Sequence, residues 1–355
     1  MPLFDHPAFD GHEAVHAFYD GESGLKCFIA VHSTARGPSS GGCRMWAYPS
    51  DEAALEDALR LSRAMSYKCA VADLELGGGK AVIIGDSRTQ KTPALFEAFG
   101  RAVEQVAGRY WAAEDVGLTP GDLAHARKFT RYVAGLDGHP AASGDPSPIT
   151  ADGVFRGIEL AVRRAYGSGL NGATVAIQGV GHVGGFLADR LKAAGARLVI
   201  TDVNEPVLRE VAARTGAAVV PPLAIFDAEA QVFAPCAMGG AVTLETLGRL
   251  KGRVIAGGAN NPLASAEVGR ALFEKGLTFA PDYVINGGGI INVAAEIRAL
   301  DRNEAYDPAW VEAKLSRLML TLDEIFQRST DERRPTHEIA AGIARARIAE
   351  GRPSA

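Results

Sequence analysis

Short apolar runs alternate with segments of helical spacing along the second half of the chain. Six runs of four or five residues predict β-strands, at 174–178, 198–202, 217–220, 231–235, 253–257 and 277–281. Short apolar strands separated by helices form a parallel sheet that helices cover on both faces. The pattern therefore predicts an α/β fold with a doubly wound, Rossmann-type domain over residues 136–329.

The first part of the chain follows a less regular pattern. Residues 25–32 predict a strand, and residues 51–67 and 93–107 carry apolar positions at helical spacing. Three consecutive glycines, Gly77 to Gly79, precede Lys80 and an apolar AVII run. This order predicts a tight backbone bend that places a lysine at the start of a strand.

The predicted domain boundary lies in the segment 135–150, which concentrates Gly, Pro, Ser and Asp. The helical stretch from about 310 to 350 is too long to be one further crossover, so we expect its last part to pack on the first domain. One domain is thus predicted from residues 1–135 with about 330–355, and the other from 136–329, with a cleft between them.

Length and charge exclude several functions. The 355 residues, 47% of them hydrophobic, suffice for two domains. A net charge of −5 with dispersed Lys and Arg argues against a nucleic-acid partner, which needs a basic face. The apolar runs fall far short of the ~20 residues that span a bilayer, and the acidic start has no basic flank before an apolar stretch. We therefore expect no membrane association, no secretory signal and a cytoplasmic location.

The four cysteines are widely spaced, with no CxxC pair and no neighbouring histidine cluster: Cys27, Cys43, Cys69 and Cys236. This spacing favours reduced, mostly buried thiols. It supports neither a disulfide framework nor a metal site.

A strand, a glycine-rich turn, a helix and a second strand follow one another over TVAIQ-GVGHVGG-FLADRLKAAG-ARLVITD. Gly179, Gly181 and Gly184 have the G-x-G-x-x-G spacing, which permits a tight turn, close approach of the backbone to a pyrophosphate, and close helix–strand packing. The helix amino terminus then faces the phosphates with its unpaired N–H groups. The other cofactor-binding residues predicted in this turn are Val180, His182 and Val183.

Asp202 ends the second strand, 18 residues after Gly184. A carboxylate at this position accepts hydrogen bonds from the adenine-ribose hydroxyls and repels a 2′-phosphate, which predicts NAD as the cofactor. The alternatives are an ordinary glycine-rich turn and, for Asp202, a helix cap.

The first domain offers groups for chemistry on an amino acid. Such an enzyme needs a fixed charge for the carboxylate, an acceptor for the ammonium protons and a base for water. The candidates are Lys68 in MSYKCA, Lys80 in GGGKAV and Asp115 in AAEDVG. Both lysines have apolar or glycine-rich neighbours, and burial beside a second cation would help one of them lose its proton. Taken alone, each lysine would more often be a solvated surface residue, and its setting is what favours a site.

These segments, with others in the same order, resemble the leucine, phenylalanine and valine dehydrogenases, which are related to glutamate dehydrogenase. The resemblance covers nearly the whole chain and is strongest to leucine dehydrogenase. The matching blocks include GPSSGGCRMW, LGGGKAVIIGD, SGDPSPITADGV, QGVGHVGG, APCAMGG and APDYVINGGGIINV. It implies a mixed-sheet domain for substrate binding and oligomerisation, a homo-oligomer of two to eight subunits, and reversible oxidative deamination. In that reaction hydride moves to the nicotinamide, water attacks the imino acid, and ammonia leaves.

The resemblance also implies residue roles. Lys68 would hold the substrate carboxylate, Lys80 would activate water, and Asp115 would shuttle protons to and from the amino group. Asn260 would contact substrate and nicotinamide, and Thr150 the carboxamide. The cofactor-binding residues near the nicotinamide would be Ala237 and Asn286, and the substrate pocket would include Ser40, Gly41, Gly42, Met65, Ala113 and Val293. As alternatives, Thr150 could be a helix N-cap, Asn286 part of a turn, and Met65 core packing.

The substrate side chain is predicted to be apolar, because the additional lysine and serine of glutamate-binding relatives have no recognisable counterpart. Ser40 replaces a bulky residue of the leucine enzymes, whereas Ala113 follows the leucine-type pattern. Gly258 and Gly288 replace their usual alanines. Leucine, valine, isoleucine and phenylalanine all remain candidates, since pocket methylenes discriminate by only ~1–3 kcal/mol each. A catalytically silent NAD-binding protein and a hydroxy-acid dehydrogenase are the competing functions.

Overall fold

The computed structural model describes residues 3–237 and 239–352, in two compact units. The first unit groups the described residues of Met1–Gly144, Ile290–Glu312 and Ile343–Ala355. The second unit comprises Asp145–Gly289 and Ala313–Gly342. Among the described residues, no helix combines the length and the apolar character needed to cross a bilayer.

The first unit contains a five-stranded mixed sheet, as predicted. Its strands are β1 (Ala14–Asp20), β2 (Leu25–Ser33), β3 (Ser39–Trp46), β4 (Gly77–Ile84) and β5 (Tyr110–Glu114). Their order in the sheet is β1-β2-β4-β3-β5. Strand β2 is antiparallel to β1 and β4, and β3 is parallel to β4 and β5. The carboxyl ends of β3, β4 and β5 therefore lie at one edge of the sheet.

Helices cover both faces of this sheet. They are α1 (Asp51–Val71), α2 (Pro93–Gln105) and α3 (Pro120–Arg127), and a 3-10 turn spans Leu3–Asp5. Ser50, Thr92 and Thr119 cap the three helices through their hydroxyl groups, which fixes where each helix begins. Helices α2 and α3 share one buried core with the sheet, and α1 packs on the opposite face.

The second unit contains a six-stranded parallel sheet, which confirms the predicted doubly wound domain. Its strands are β6 (Thr174–Gln178), β7 (Arg197–Thr201), β8 (Ala218–Val219), β9 (Val232–Pro235), β10 (Val254–Ile255) and β11 (Thr278–Phe279). The order β11-β10-β9-β6-β7-β8 reverses between β6 and β9, as in Rossmann folds. All six predicted strands are present, three of them shortened to two residues.

The helices of the second unit connect these strands. They are α4 (Ser147–Tyr166), α5 (His182–Ala193), α6 (Glu205–Thr215), α7 (Leu244–Arg249), α8 (Ala266–Glu274) and α9 (Asp282–Ile285), with a 3-10 segment at Pro222–Asp227. Three further helices follow: α10 (Gly288–Arg302), α11 (Pro308–Glu332) and α12 (Thr336–Glu350). The chain passes from one unit to the other within each of these three.

Residues 290–312 belong to the first unit, although the sequence pattern assigned them to the second. Glu296 of α10 is almost fully buried and ties the segment 135–143 to this helix. One carboxylate oxygen accepts from the backbone N–H groups of Gly135 (2.7 Å) and Leu136 (3.2 Å). The other accepts from the backbone N–H (3.0 Å) and the hydroxyl (2.6 Å) of Ser143. The chain therefore changes unit after Gly144, nine residues beyond the predicted position.

Candidate active site

One face of the mixed sheet gathers most of the candidate residues of the first unit. Neighbouring residues of a strand point to opposite faces. Cys43, Met45 and Tyr110 lie in the core beneath α2 and α3, so the intervening residues of β3 and β5 face α1. The register of β3 with β5 places Gly42 beside Ala113. On the other side, Ser40 pairs with Gly78 of β4 and Cys43 with Ala81, so Gly42 lies opposite Lys80.

Lys80 and Asp115 form an ion pair on this face. Lys80 is only 5% exposed, so its interpretation as a surface lysine is wrong. Its ammonium group donates a hydrogen bond to Oδ2 of Asp115, the first residue after β5. The other oxygen, Oδ1, accepts from the backbone N–H of Val116 over 2.7 Å. The carboxylate is therefore held in one orientation at the carboxyl edge of the parallel strands.

Charge keeps Asp115 ionised. Burial alone raises the pKa of its carboxyl group, but the positive charges of Lys80 and Arg44, together with the hydrogen bonds from Lys80 and Val116, outweigh burial and lower it below its usual range. Arg44 Nε lies 3.7 Å from Oδ2 of Asp115. Arg44 was not among the residues predicted from the sequence. Strand alternation was a usable signal, because Arg44 follows Gly42 by two residues and so shares its face.

Small residues leave room around the ion pair. A side chain on Gly42 would place its Cβ 2.6 Å from the Cβ of Asp115. β3 can therefore lie this close to Asp115 only with glycine at position 42. Ser40 is fully buried, and its hydroxyl has no hydrogen-bond partner among the residues that the structure describes. Met65, half-buried on α1, lies next to Gly41. Lys68, one turn further along α1, is also half-buried.

The glycine-rich turn of the second unit follows β6, at the point where the strand order reverses. Gly179 has φ +93°, and α5 begins after Gly181. A Cβ on Gly184 would lie 2.1 Å from the carbonyl oxygen of Gly179, so only glycine lets α5 pack this closely on the turn. A Cβ on Gly181 would meet no described atom within 4 Å, which leaves its backbone open to a ligand.

Asp202 contacts this turn directly. Its Oδ2 accepts from the backbone N–H of Val180 over 2.7 Å, and its Oδ1 accepts from the N–H of Asn204 over 2.8 Å. Asn204 is the N-cap of α6, so the interpretation of Asp202 as that cap is wrong. His182 is exposed and Val183 half-buried at the start of α5.

Three other candidates of the second unit, Asn286, Asn260 and Ala237, make contacts within that unit. Asn286 donates to the side-chain oxygen of Asn260 (2.9 Å) and to the carbonyl of Gly258 (3.2 Å). Its own side-chain oxygen is buried and has no partner in residues 3–237 and 239–352. Ala237 lies against Gly179 across the reversal of strand order.

Thr150 does not cap α4, which corrects the N-cap interpretation. The helix already begins at Ser147, and the Thr150 hydroxyl donates back to the carbonyl of Pro146 over 2.9 Å. The Thr150 hydroxyl faces Gly289. Val293, the last predicted pocket residue, is half-buried on α10 and belongs to the first unit.

These features fit a dinucleotide. The turn offers an open backbone at a helix amino terminus, Asp202 retains lone pairs for ribose hydroxyls, and the buried oxygen of Asn286 requires a donor such as a carboxamide. The thiols are buried or half-buried, and burial raises the pKa of Cys236 to about 11. In the described part of the chain, no cluster of three or more His, Cys, Asp or Glu side chains is arranged to hold a metal ion.

Comparisons with known proteins extend over both units. Residues 12–132 match the family model described as Glu/Leu/Phe/Val dehydrogenase, dimerisation domain, and residues 200–352 match Glutamate/Leucine/Phenylalanine/Valine dehydrogenase. Leucine dehydrogenase of Geobacillus stearothermophilus is 44% identical over 349 residues, covering 98% of this chain and 94% of the relative.

Two further relatives carry other names. Phenylalanine dehydrogenase of Bacillus thermotolerans is 42% identical over 343 residues, covering 95% of this chain and 88% of the relative. The crystal structure of L-tryptophan dehydrogenase from Nostoc punctiforme superposes with a TM-score of 0.83 at 38% identity and covers 96% of each chain. The resemblance drawn from the sequence blocks is thus confirmed.

Proposed function

We propose that this chain, which belongs to the Glu/Leu/Phe/Val dehydrogenase family, deaminates an apolar L-amino acid to its 2-oxo acid with NAD and catalyses the reverse amination. The family makes it an amino-acid dehydrogenase, an oxidoreductase of CH–NH2 groups with a nicotinamide cofactor. The observation that carries the proposal is the ion pair between buried Lys80 and half-buried Asp115 beside Gly42. The pair supplies a proton donor and a proton acceptor next to Gly42, where no side chain covers this face of the sheet.

Each residue of the first unit has a proposed task. Lys68 binds the substrate carboxylate through its ammonium group. Asp115 takes a proton from the substrate amino group and returns one when ammonia is released. Lys80, hydrogen-bonded to Asp115, acts as a base once its own proton has passed to solvent at alkaline pH, and its neutral amine then removes a proton from the water that attacks the imino carbon. The ammonium group formed in this way returns that proton to solvent, which is the net proton released by the deamination.

The second unit binds the cofactor. A nicotinamide dinucleotide, when bound, supplies the hydride acceptor. The backbone from Gly179 to Gly184 holds its pyrophosphate, and the Asp202 carboxylate accepts from the ribose hydroxyls and repels a 2′-phosphate. Asn286, Asn260, Ala237 and Thr150 orient the nicotinamide end. NAD is therefore preferred to NADP.

The substrate side chain is proposed to be apolar and of variable size. The named relatives act on leucine, phenylalanine and tryptophan at 44%, 42% and 38% identity, so identity alone selects none of them. Ser40, Gly42 and Ala113 are small and lie on the same face as Lys80. We expect overlapping activity on leucine, valine, isoleucine and phenylalanine. The match to a dimerisation domain supports assembly into a homo-oligomer.

An absorbance assay at 340 nm tests the proposal. The purified protein is incubated at alkaline pH with NAD and one of five L-amino acids: leucine, valine, isoleucine, phenylalanine or glutamate. NADH formation with the apolar four, and little with glutamate, is the expected result. NADH from a 2-hydroxy acid alone would identify a hydroxy-acid dehydrogenase, and inactivity with every substrate would favour a silent NAD-binding protein.

A further inference from the structure

A line of alternating charges leads from the acid–base pair toward the protein surface. Arg44, which lies beside Asp115, donates through Nη1 to Oδ2 of Asp57 on α1 over 2.9 Å. The hydroxyl of Tyr48 donates to the same oxygen over 2.5 Å. The order Lys80, Asp115, Arg44, Asp57 thus places each charge next to one of opposite sign, and Tyr48 ends the line.

We propose that Arg44 is a positioning residue that supplies a permanent positive charge to Asp115 while protons move between Lys80, Asp115 and the substrate. The inference rests on the proposed function. When Lys80 gives up its proton to become a base, Asp115 loses the charge of its hydrogen-bonded partner. Arginine keeps its proton throughout the accessible pH range, so Arg44 still stabilises the ionised carboxylate.

Burial and geometry make this charge effective. The side chains of Arg44 and Asp115 are 26% and 22% exposed, so solvent and salt screen their interaction less than that of a surface pair. Arg44 Nε is buried and, within the described part of the chain, makes no hydrogen bond, while Asp115 Oδ2 lies 3.7 Å from it. Asp57 accepts from the other end of the guanidinium group, and Tyr48 holds Asp57 in place by donating to the same oxygen. They line an open groove of about 450 Å³ together with Trp46 and Arg60.

The charged groups near Asp115 determine how a substitution changes the electrostatic potential at its carboxylate. Lys80 on β4 and Arg44 on β3 are the cations that act on Asp115, Asp57 on α1 is paired with Arg44, and Asp122 on α3 acts on the nearby Cys43. Burial raises the pKa values of Cys43 and Tyr110, so these two stay neutral. Removing the charge of Arg44 and removing that of Asp57 therefore act on Asp115 in opposite directions.

The pH dependence of kcat/KM in the full-length enzyme tests the inference. In Arg44→Met the acid limb of the profile is expected to move about one unit to higher pH, because loss of a cation makes the pair release its proton less readily. In Asp57→Asn the acid limb is expected to move to lower pH. Arg44→Lys, which keeps the charge, should restore most of the wild-type profile. The exposed Arg60→Met in the same groove is the matched control and should leave the profile unchanged.

A purely structural role would change melting temperature and rate without this pair of opposite shifts. Profiles that do not move, or that move in the same direction in Arg44→Met and Asp57→Asn, overturn the inference. If Arg44→Met does not fold, Asp57→Asn decides it, and an acid limb that stays in place rejects it. An inactive wild-type enzyme would instead overturn the proposed function, and this inference with it.

Discussion

The carboxylate of Asp202 and the backbone N–H of Val180 are joined by a hydrogen bond of 2.7 Å. Through this contact the residue proposed to select the cofactor also holds the turn proposed to bind its pyrophosphate. A carboxylate has about four lone-pair positions, and the N–H groups of Val180 and Asn204 use two. Lone pairs remain for the two ribose hydroxyls.

Replacing Asp202 should weaken discrimination between NAD and NADP. In Asp202→Ser the ratio of kcat/KM for NAD to that for NADP is expected to fall at least tenfold, because a charge-assisted hydrogen bond contributes about 1.5–3 kcal/mol and the repulsion of a 2′-phosphate is removed. Steady-state kinetics with both cofactors measure the ratio. Glu205→Gln, a nearby acidic residue paired with Arg209, is the control and should keep it. Equal rates of the wild-type enzyme with NAD and NADP would show that the assignment of Asp202 is wrong.

Lys80→Ala should abolish most of the turnover while cofactor binding persists. Loss of a general acid–base group costs typically 10²–10⁴-fold, and Lys80 lies in the unit without the glycine-rich turn. Turnover and the dissociation constant of NAD, from fluorescence titration, are measured together. Lys91→Ala is a matched control, since Lys91 is also paired with an aspartate, Asp122, at 2.5 Å. Wild-type turnover in Lys80→Ala would remove Lys80 from the mechanism.

Ser40 is the position at which we expect substrate preference to change. Ser40→Leu restores a bulky side chain at this position of the expected pocket. It should lower kcat/KM for phenylalanine relative to that for valine about tenfold, because a larger side chain leaves less room for the larger substrate. Ser40→Ala should leave both preference and melting temperature nearly unchanged, because the hydroxyl makes no hydrogen bond. An unchanged phenylalanine-to-valine ratio in a folded Ser40→Leu protein would place Ser40 outside the pocket.

Stability should fall in mild acid because of His32. Burial lowers the pKa of His32 to about 4, with His12 and Arg63 acting in the same direction and Asp10 against them. The unfolded chain binds this proton near pH 6.5, so the folded state loses up to about 3 kcal/mol as the pH falls from about 6.5 to about 4.

Urea denaturation at pH 7, 6 and 5 measures this dependence. In His32→Asn, which keeps an acceptor for Ser66, the loss of stability between pH 7 and pH 5 should be smaller than in the wild type. The exposed His139→Asn should behave as the wild type. Equal slopes in His32→Asn and wild type would exclude His32 as the cause.

The sequence predicted the second unit well because its strands are buried on both faces and therefore form continuous apolar runs. The runs did not predict β3, whose sequence SSGGCRMW is rich in Ser and Gly. It becomes a strand because β4 and β5 pair with it on either side. The unit boundary could not be read from composition either, since Glu296 binds Gly135 from 161 positions away.

Predictions from local sequence, such as helix caps, were also wrong where other residues determine the backbone conformation. Thr150 has a capping side chain, but Pro146 precedes the helix and Ser147 opens it, so Thr150 lies in the first turn. Lys80 and Asp115 could be named from resemblance, but their direct pairing follows from the parallel register of β4, β3 and β5. Strand alternation places Arg44 on the face of Gly42, but this signal could be used only once SSGGCRMW was known to be a strand.

The most direct test of the account is to measure NADH and ammonia together during turnover of L-leucine with NAD by the wild-type enzyme. The proposed exchange of protons between Asp115 and the amino group and between Lys80 and water predicts one ammonia for each NADH, and formation of both products about 10²–10⁴-fold more slowly in Lys80→Ala. NADH formed without ammonia, or both products formed at the wild-type rate by Lys80→Ala, would contradict it.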